Sequence, residues 1–163
     1  MISKSCSEMA GVDELLALDN QICFALYAAN RAVTARYRPL LSDLGLTYPQ
    51  YLVMLVLWEQ DRAGQSPTVS ELGRRLRLDS GTLTPLLKRL EERMLIKRNR
   101  SSDDERVVRA SLTGTGRQLR SRAVNIPEQL LCGLDVDPDR LMALRGELRR
   151  LLEALEGVEP SGQ

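Results

Sequence analysis

Apolar residues recur every three or four positions from about Asp13 to Arg36, at Leu15, Leu18, Ile22, Leu26, Ala29 and Val33. This spacing predicts an amphipathic helix, with Cys23 two to three turns inside it. Pro39 opens a short segment, PLLSDLG, that Gly45 closes in the manner of a left-handed residue after a helix. Thr47-Tyr-Pro-Gln50 has the form of a capping box with a proline near the first turn. The helix it opens is apolar on every face from Tyr51 to Trp58, the pattern of a buried central helix. A polar loop from Asp61 to Pro67 follows.

Thr68-Val-Ser-Glu71 is a second capping box, starting a short helix to about Leu76. After a tight turn, Arg77-Leu-Asp79, Asp79 can cap a helix from Ser80 to about Arg93. Two short helices joined in this way predict a helix-turn-helix, with Pro85 expected to bend or loosen the second one. Leu95 to Arg98 reads as a strand, RSSDDE as a polar turn and Arg106 to Leu112 as the returning strand. A hairpin directly after the second helix is a wing. Thr113 begins a long helix to about Gly133, and a last helix follows Pro138. In it Leu141, Leu144, Leu148, Leu151 and Leu155 form a narrow two-heptad seam that calls for a partner surface, either the first helix of the same chain or a second copy.

The expected fold is therefore mainly α with a small β-hairpin wing, a winged helix-turn-helix carrying N- and C-terminal dimerisation helices. The expected division is a tail over 1–12, N-terminal helices over 13–45 and a winged core over 46–113. C-terminal dimerisation helices over 114–157 and a tail over 158–163 complete it.

Composition narrows the chemistry. The 163 residues are 43% hydrophobic and 28% charged, which suits an ordinary globular chain. Histidine is absent, which excludes a Ser/His/Asp hydrolase, a Cys/His protease and a His-ligated zinc site. The three cysteines, Cys6, Cys23 and Cys132, are odd in number and far apart, unlike a secreted disulfide framework or a CxxC metal site. No cofactor or metal is expected. The longest apolar run falls far short of the ~20 residues of a membrane span, and MISKSCSEM lacks a signal-peptide core, so a cytoplasmic location without membrane contact is expected.

Net charge is only +1, yet Leu72 to Arg109 holds 11 basic against 6 acidic residues, leaving 12 against 16 elsewhere. A basic middle between acidic ends suits either a polyanion contact or a solvated surface. On the exposed face of the second helix, Ser80, Thr82 and Thr84 can enter a DNA major groove, and Lys88 and Arg89 can clamp phosphates. Arg98 and Arg100 can add backbone contacts.

The stretches LDNQICFALYAANRAVTARYRPLLSDLGLTYPQYLVMLVLWE, LRLDSGTLTPLLKRLEERMLIKR and RSSDDERVVRASLT, in this order of elements, resemble the MarR family. The QICFALY segment resembles its organic hydroperoxide resistance branch. The resemblance covers roughly residues 13 to 155. It implies a redox-sensing transcription regulator, a repressor rather than an enzyme, that binds double-stranded DNA as a homodimer. It also implies that Cys23 is the thiol oxidised by organic hydroperoxide, with Tyr37, Tyr48 and Tyr27 stabilising its thiolate. Cys132 corresponds in approximate position to a resolving cysteine that forms an intersubunit disulfide; an external low-molecular-weight thiol is the alternative. Cys6 corresponds to nothing in the family. The wing segment Asp104-Glu-Arg106 resembles the family's wing tip, which implies that Arg106 reaches the minor groove, held by Asp104.

A two-fold pair of such heads predicts an inverted-repeat operator with half-site centres about 34 Å apart. Two rival readings keep their place: release of DNA by a small phenolic ligand, with Cys23 a packing residue, and a thiol peroxidase that consumes hydroperoxides.

Overall fold

A computed structural model describes residues 12–100, 104 and 106–157. Cys6, and residues 101–103 and 105 of the wing turn, lie outside the described residues. The chain forms two compact units, Met1–Leu130 and Leu131–Gln163.

The expected first helix is broken in two: α1 spans Val12–Leu16, a single 3-10 turn spans Leu18–Asn20, and α2 spans Ile22–Ser42. The apolar spacing runs through this break, but the side-chain amides of Asn20 and Gln21 donate to the carbonyls of Glu14 and Leu15, and Ala17 is extended at ψ 130°. Short amide side chains compete with the helical ladder in this way. α2 then runs on through Pro39. Pro39 cannot donate to the carbonyl of Ala35, but both residues are exposed, so water can take that carbonyl. The end of α2 has Schellman geometry: Leu46 N–H to Leu41 O at 3.1 Å, Gly45 N–H to Ser42 O at 2.8 Å, and Gly45 at φ +62°.

α3 (Tyr48–Arg62) starts at the expected capping box, with the Thr47 N–H donating to Gln50 Oε1 at 2.9 Å. It is the central helix, burying Tyr51, Val53, Met54, Val56, Leu57 and Trp58. Around it pack α4 (Val69–Leu76), α5 (Ser80–Glu92) and the antiparallel hairpin β1 (Ile96–Arg100) and β2 (Val108–Leu112), paired from Ile96 with Leu112 to Arg100 with Val108. Leu72, Leu83, Leu87, Leu90, Leu95, Ile96, Ala110 and Leu112 complete this core. α5 continues through Pro85, whose missing donor faces the carbonyl of Gly81 on the exposed side.

The long helix expected after Thr113 is two helices, α6 (Gly114–Ala123) and α7 (Ile126–Leu131). Pro127 lacks the N–H that would reach Ala123, and its ring crowds that carbonyl. Trp58 Nε1 donates to Gly116 O at 2.9 Å inside the core, and a Cβ on Gly116 would lie 2.0 Å from Leu95 O. Only glycine lets α6 lie this close to the wing base. In the second unit, α8 (Pro138–Gly157) buries none of its residues, and Leu144, Leu148 and Leu155 are exposed.

Four helix ends share the Schellman pattern, but only α2 and α3 place glycine, Gly45 and Gly64, at the left-handed position. α4 uses Arg77 (φ +53°) and α5 uses Met94 (φ +56°). A side chain there costs about 1 kcal/mol. Met94 is 69% exposed, so Met94→Gly forfeits little packing. It should raise the thermal midpoint by about 2–4 °C. A midpoint that stays or falls in a thermal melt contradicts the strain at this residue.

Candidate DNA interface and thiol site

α5 presents Ser80, Thr82, Thr84, Lys88 and Arg89 on its exposed side. Its N-terminus is fixed by Asp79, which accepts from the Thr82 N–H at 2.8 Å and the Thr82 hydroxyl at 3.0 Å. Those hydrogen bonds hold the Asp79 carboxyl below the usual carboxylate range. The Thr82 hydroxyl is thereby spent as a donor within the cap and faces outward as an acceptor. Lys88 and Glu92 form an exposed pair at 3.9 Å, too loose and too wet to hold the ammonium. In the wing, Asp104 Oδ1 accepts from the Arg106 backbone N–H at 2.9 Å, so Asp104 shapes the turn from which the exposed Arg106 projects.

Arg98, expected to add a DNA-backbone contact, is engaged within the chain. Its Nη2 and Nε donate to Glu91 Oε2 at 2.7 and 3.0 Å, and its backbone N–H donates to Glu91 Oε1 at 3.0 Å. The pair fastens the base of the wing to α5. A cleft of about 520 Å³ between α4, α5 and the wing is lined by Thr68, Ser70, Thr84, Arg98 and Arg106. Thr68 and Ser70 belong to this face although sequence reasoning did not single them out. The signal was the second capping box, which exposes Ser70 at the start of α4. Glu91 was also missed, because its partner lies across a helix end and a turn.

The thiol differs from expectation in position. α2 begins at Ile22, so Cys23 is its second residue, exposed in the first turn rather than two to three turns inside. It therefore lies at the positive end of the helix dipole, close to amide N–H groups that have no intrahelical partner. Tyr27, one turn on, is 56% exposed, and its hydroxyl accepts from Arg31 Nη1 at 2.9 Å.

Tyr37 and Tyr48 are half-buried and stacked, with ring centroids 4.7 Å apart; Tyr51 follows at 5.7 Å from Tyr37, and Trp58 meets Tyr51 edge-on. Burial, and then the neighbouring phenols Tyr48 and Tyr51, push the Tyr37 hydroxyl up to about 12. Burial also raises Tyr48 and Tyr51. All three stay protonated at neutral pH, as hydrogen-bond donors must. Tyr37 and Cys23 share α2 and are separated by about 21 Å along its axis at 1.5 Å per residue. A single chain therefore does not bring them together. Cys132 is exposed in the second unit. Among the described residues no helix is long and apolar enough to cross a membrane.

A helix-turn-helix with an attached hairpin wing, presenting hydroxyls and arginines on one face, defines a winged-helix DNA-binding protein. Comparison with known proteins agrees. Residues 35–122 match the family model of the transcriptional regulators SarA/Rot. The chain is 48% identical over 140 residues to the organic hydroperoxide resistance transcriptional regulator of Bacillus subtilis (strain 168), covering 86% of this chain and 92% of that one. Among solved structures, reduced AbfR bound to DNA is 36% identical with a TM-score of 0.74, covering 87% of this chain and 96% of that one. Disulfide-formed AbfR has a TM-score of 0.58 at 36% identity, covering 86% and 96%. The chain belongs to the MarR/SarA family of DNA-binding transcription regulators. Its relatives are regulators, not enzymes.

The Arg98 guanidinium beside Glu91 holds that carboxyl below its ordinary value of 4.5. A depressed folded value means the pair stabilises the wing above pH 4.5, and the contribution is lost as pH falls through the folded value. Glu91→Gln should therefore narrow the gap between the thermal midpoints at pH 7 and pH 3.5. A gap equal to that of the unaltered chain would show that the pair carries none of the acid sensitivity.

Proposed function

We propose that this chain is a redox-sensing repressor that grips an inverted-repeat operator as a homodimer and releases it when organic hydroperoxide oxidises Cys23. The observation that carries the reading is the separation of Cys23 from the Tyr37–Tyr48 pair along one rigid helix. A peroxide-reactive thiol needs donors that favour its charged form. With about 21 Å of helix between them, the donors for one Cys23 come from the Tyr37 and Tyr48 of a second copy. Exposed Leu15, Leu18, Ile22, Phe24 and Val33 at the N-terminal end, and the leucine seam of α8, supply apolar surface for such a pairing. Tyr27, one turn from Cys23, closes the same site.

In the reaction, the Cys23 thiolate attacks the distal oxygen of ROOH. The O–O bond breaks, the alcohol ROH leaves after taking up a proton, and sulfur is left as sulfenic acid. The Cys132 thiol of the other subunit then displaces water to form a disulfide; a low-molecular-weight thiol can do the same. Apolar neighbours such as Phe24 and Leu26 favour alkyl peroxides over hydrogen peroxide. Weakening operator binding by a factor of ~100–1,000 takes about 3–4 kcal/mol of bias between the two dimer states.

On DNA, the start of α5 enters the major groove with Ser80, Thr82 and Thr84, while Lys88, Arg89 and Arg100 hold phosphates and Arg106, backed by Asp104, enters the minor groove. Arg98 contributes by bracing the wing. Disulfide-formed and DNA-bound forms of AbfR support a redox-linked reading. Release by a phenolic ligand has one observation in its favour. A cleft of about 510 Å³ has an apolar floor of Leu55, Trp58, Ala123 and Val124, with Arg62 and Arg120 on its rim.

Cys23→Ser should bind the duplex upstream of the chain's own gene within about threefold of the parent and keep it when cumene hydroperoxide is added. Release by the serine variant, read by fluorescence anisotropy, rejects the thiol trigger in favour of the ligand. Arg89→Ala should weaken specific and random duplexes alike and reduce the slope of log K against log salt by about 0.9. An unchanged slope removes Arg89 from the phosphate contacts.

A further inference from the structure

The carbonyls at the end of α2 are not left to water. Arg93, the residue that closes α5, donates from Nη2 to Leu44 O at 3.0 Å and from Nη1 to Gly45 O. A second arginine, Arg122 of α6, donates from Nη2 to Asp43 O at 2.7 Å. A helix end carries roughly half a negative charge on its free carbonyls, so each guanidinium is a charge-assisted cap. Gly45 makes the approach possible, since a Cβ there would lie 2.7 Å from Arg93 Nη2.

We propose that Arg93 is the positioning residue that couples the thiol to the DNA-reading helix. This rests on the redox reading above. α2 is a 21-residue helix with Cys23 in its first turn and the Arg93 cap just past its last. It acts as a lever about 31 Å long, thiol at one end and recognition helix at the other. α3 also packs against both α2 and α5, but apolar packing between helices tolerates small sliding. Two directional hydrogen bonds from one guanidinium to consecutive carbonyls resist that sliding more than apolar contact does, and they tie the two helix ends together. When oxidation of Cys23 tilts α2 within the dimer, Arg93 drags the end of α5 with it and lifts its start out of register with the groove. Arg122 ties the same end of α2 to α6, which carries none of the proposed base contacts, so it anchors without coupling.

The full-length chain is titrated against the duplex upstream of its own gene, before and after cumene hydroperoxide, with dimedone trapping at Cys23 followed by mass spectrometry. The unaltered chain should lose about 100-fold in affinity on oxidation, Arg93→Met less than about threefold, and Arg93→Lys, which reaches one carbonyl at a time, an intermediate amount. Arg122→Met should respond as the unaltered chain does. Dimedone labelling at the same rate in all four proteins separates lost coupling from lost sensing. If the unaltered chain keeps its duplex after Cys23 is oxidised, the redox reading and the coupling fall together. If it releases and Arg93→Met releases equally, the coupling alone is overturned. It is overturned also if reduced Arg93→Met no longer binds, or if Arg122→Met loses the response as fully, since either result makes the caps mere scaffold.

Discussion

An α-helix advances 1.5 Å per residue and does not bend back on itself, and the proposed thiol chemistry is organised around that rigidity. Thirteen residues of α2 stand between Cys23 and Tyr37, and Tyr48 is held against Tyr37 by ring stacking at 4.7 Å. The Cys23 sulfur and the phenols of Tyr37 and Tyr48 are therefore kept apart within one chain. Bringing them together takes a second copy, and the exposed apolar residues around Cys23 are what such a copy would cover. In the proposed function, sensing and pairing are then one structural problem: whatever changes the sulfur changes a contact between chains.

The winged core holds its DNA-facing groups by a different device. α3 is buried along most of its length, and the surrounding elements are pinned by polar links that leave little freedom. Trp58 reaches Gly116 on α6, Arg117 grips Asp61 with two nitrogens, and Arg98 grips Glu91. Buried tryptophan N–H groups need an acceptor, so the Trp58 bond fixes the position of α6 as well as filling space. The result is a stiff frame of α3 and α6 that carries α5 and the wing, which Arg98 and Glu91 tie into one body. Such a body suits release by reorientation, because a small tilt misaligns every contact in the groove at once.

Much of this was legible in the residues, and what was legible was local. Thr47 with Gln50, Thr68 with Glu71, and Asp79 with Thr82 announce helix starts because a cap is decided within four residues. The central helix was legible because no face from Tyr51 to Trp58 is polar. Breaks were harder. The apolar period runs unbroken from Leu15 to Val33, yet Asn20 and Gln21 turn their amides onto the end of α1 and split the helix there. Pro39 reads as a stop, but tertiary burial of Leu41 and an exposed Ala35 carbonyl let α2 pass through it. The first of these puts Cys23 at a helix start rather than mid-helix, and the second lengthens α2 at its other end. The residue types of the thiol site were recognisable from the resemblance, whereas their separation needed the true bounds of α2.

Formal charge overstates how much of the basic stretch is available to a polyanion. Between Leu72 and Arg109 the sequence counts 11 basic residues, but several are occupied inside the protein. Arg75 faces Glu59, Arg98 faces Glu91, Arg93 caps the end of α2, and Arg109 donates to Ser66 O. A guanidinium held by two good hydrogen bonds gives up real free energy to turn toward a phosphate, whereas an exposed and loosely paired ammonium such as that of Lys88 gives up almost none. The basic stretch thus holds residues that build the head beside others left for the proposed contacts. Of these, Lys88, Arg89, Arg100 and Arg106 lie on the elements whose exposed faces the helix-turn-helix and wing present together. With the proposed contacts so few and their frame stiff, the proposed release takes only a modest tilt.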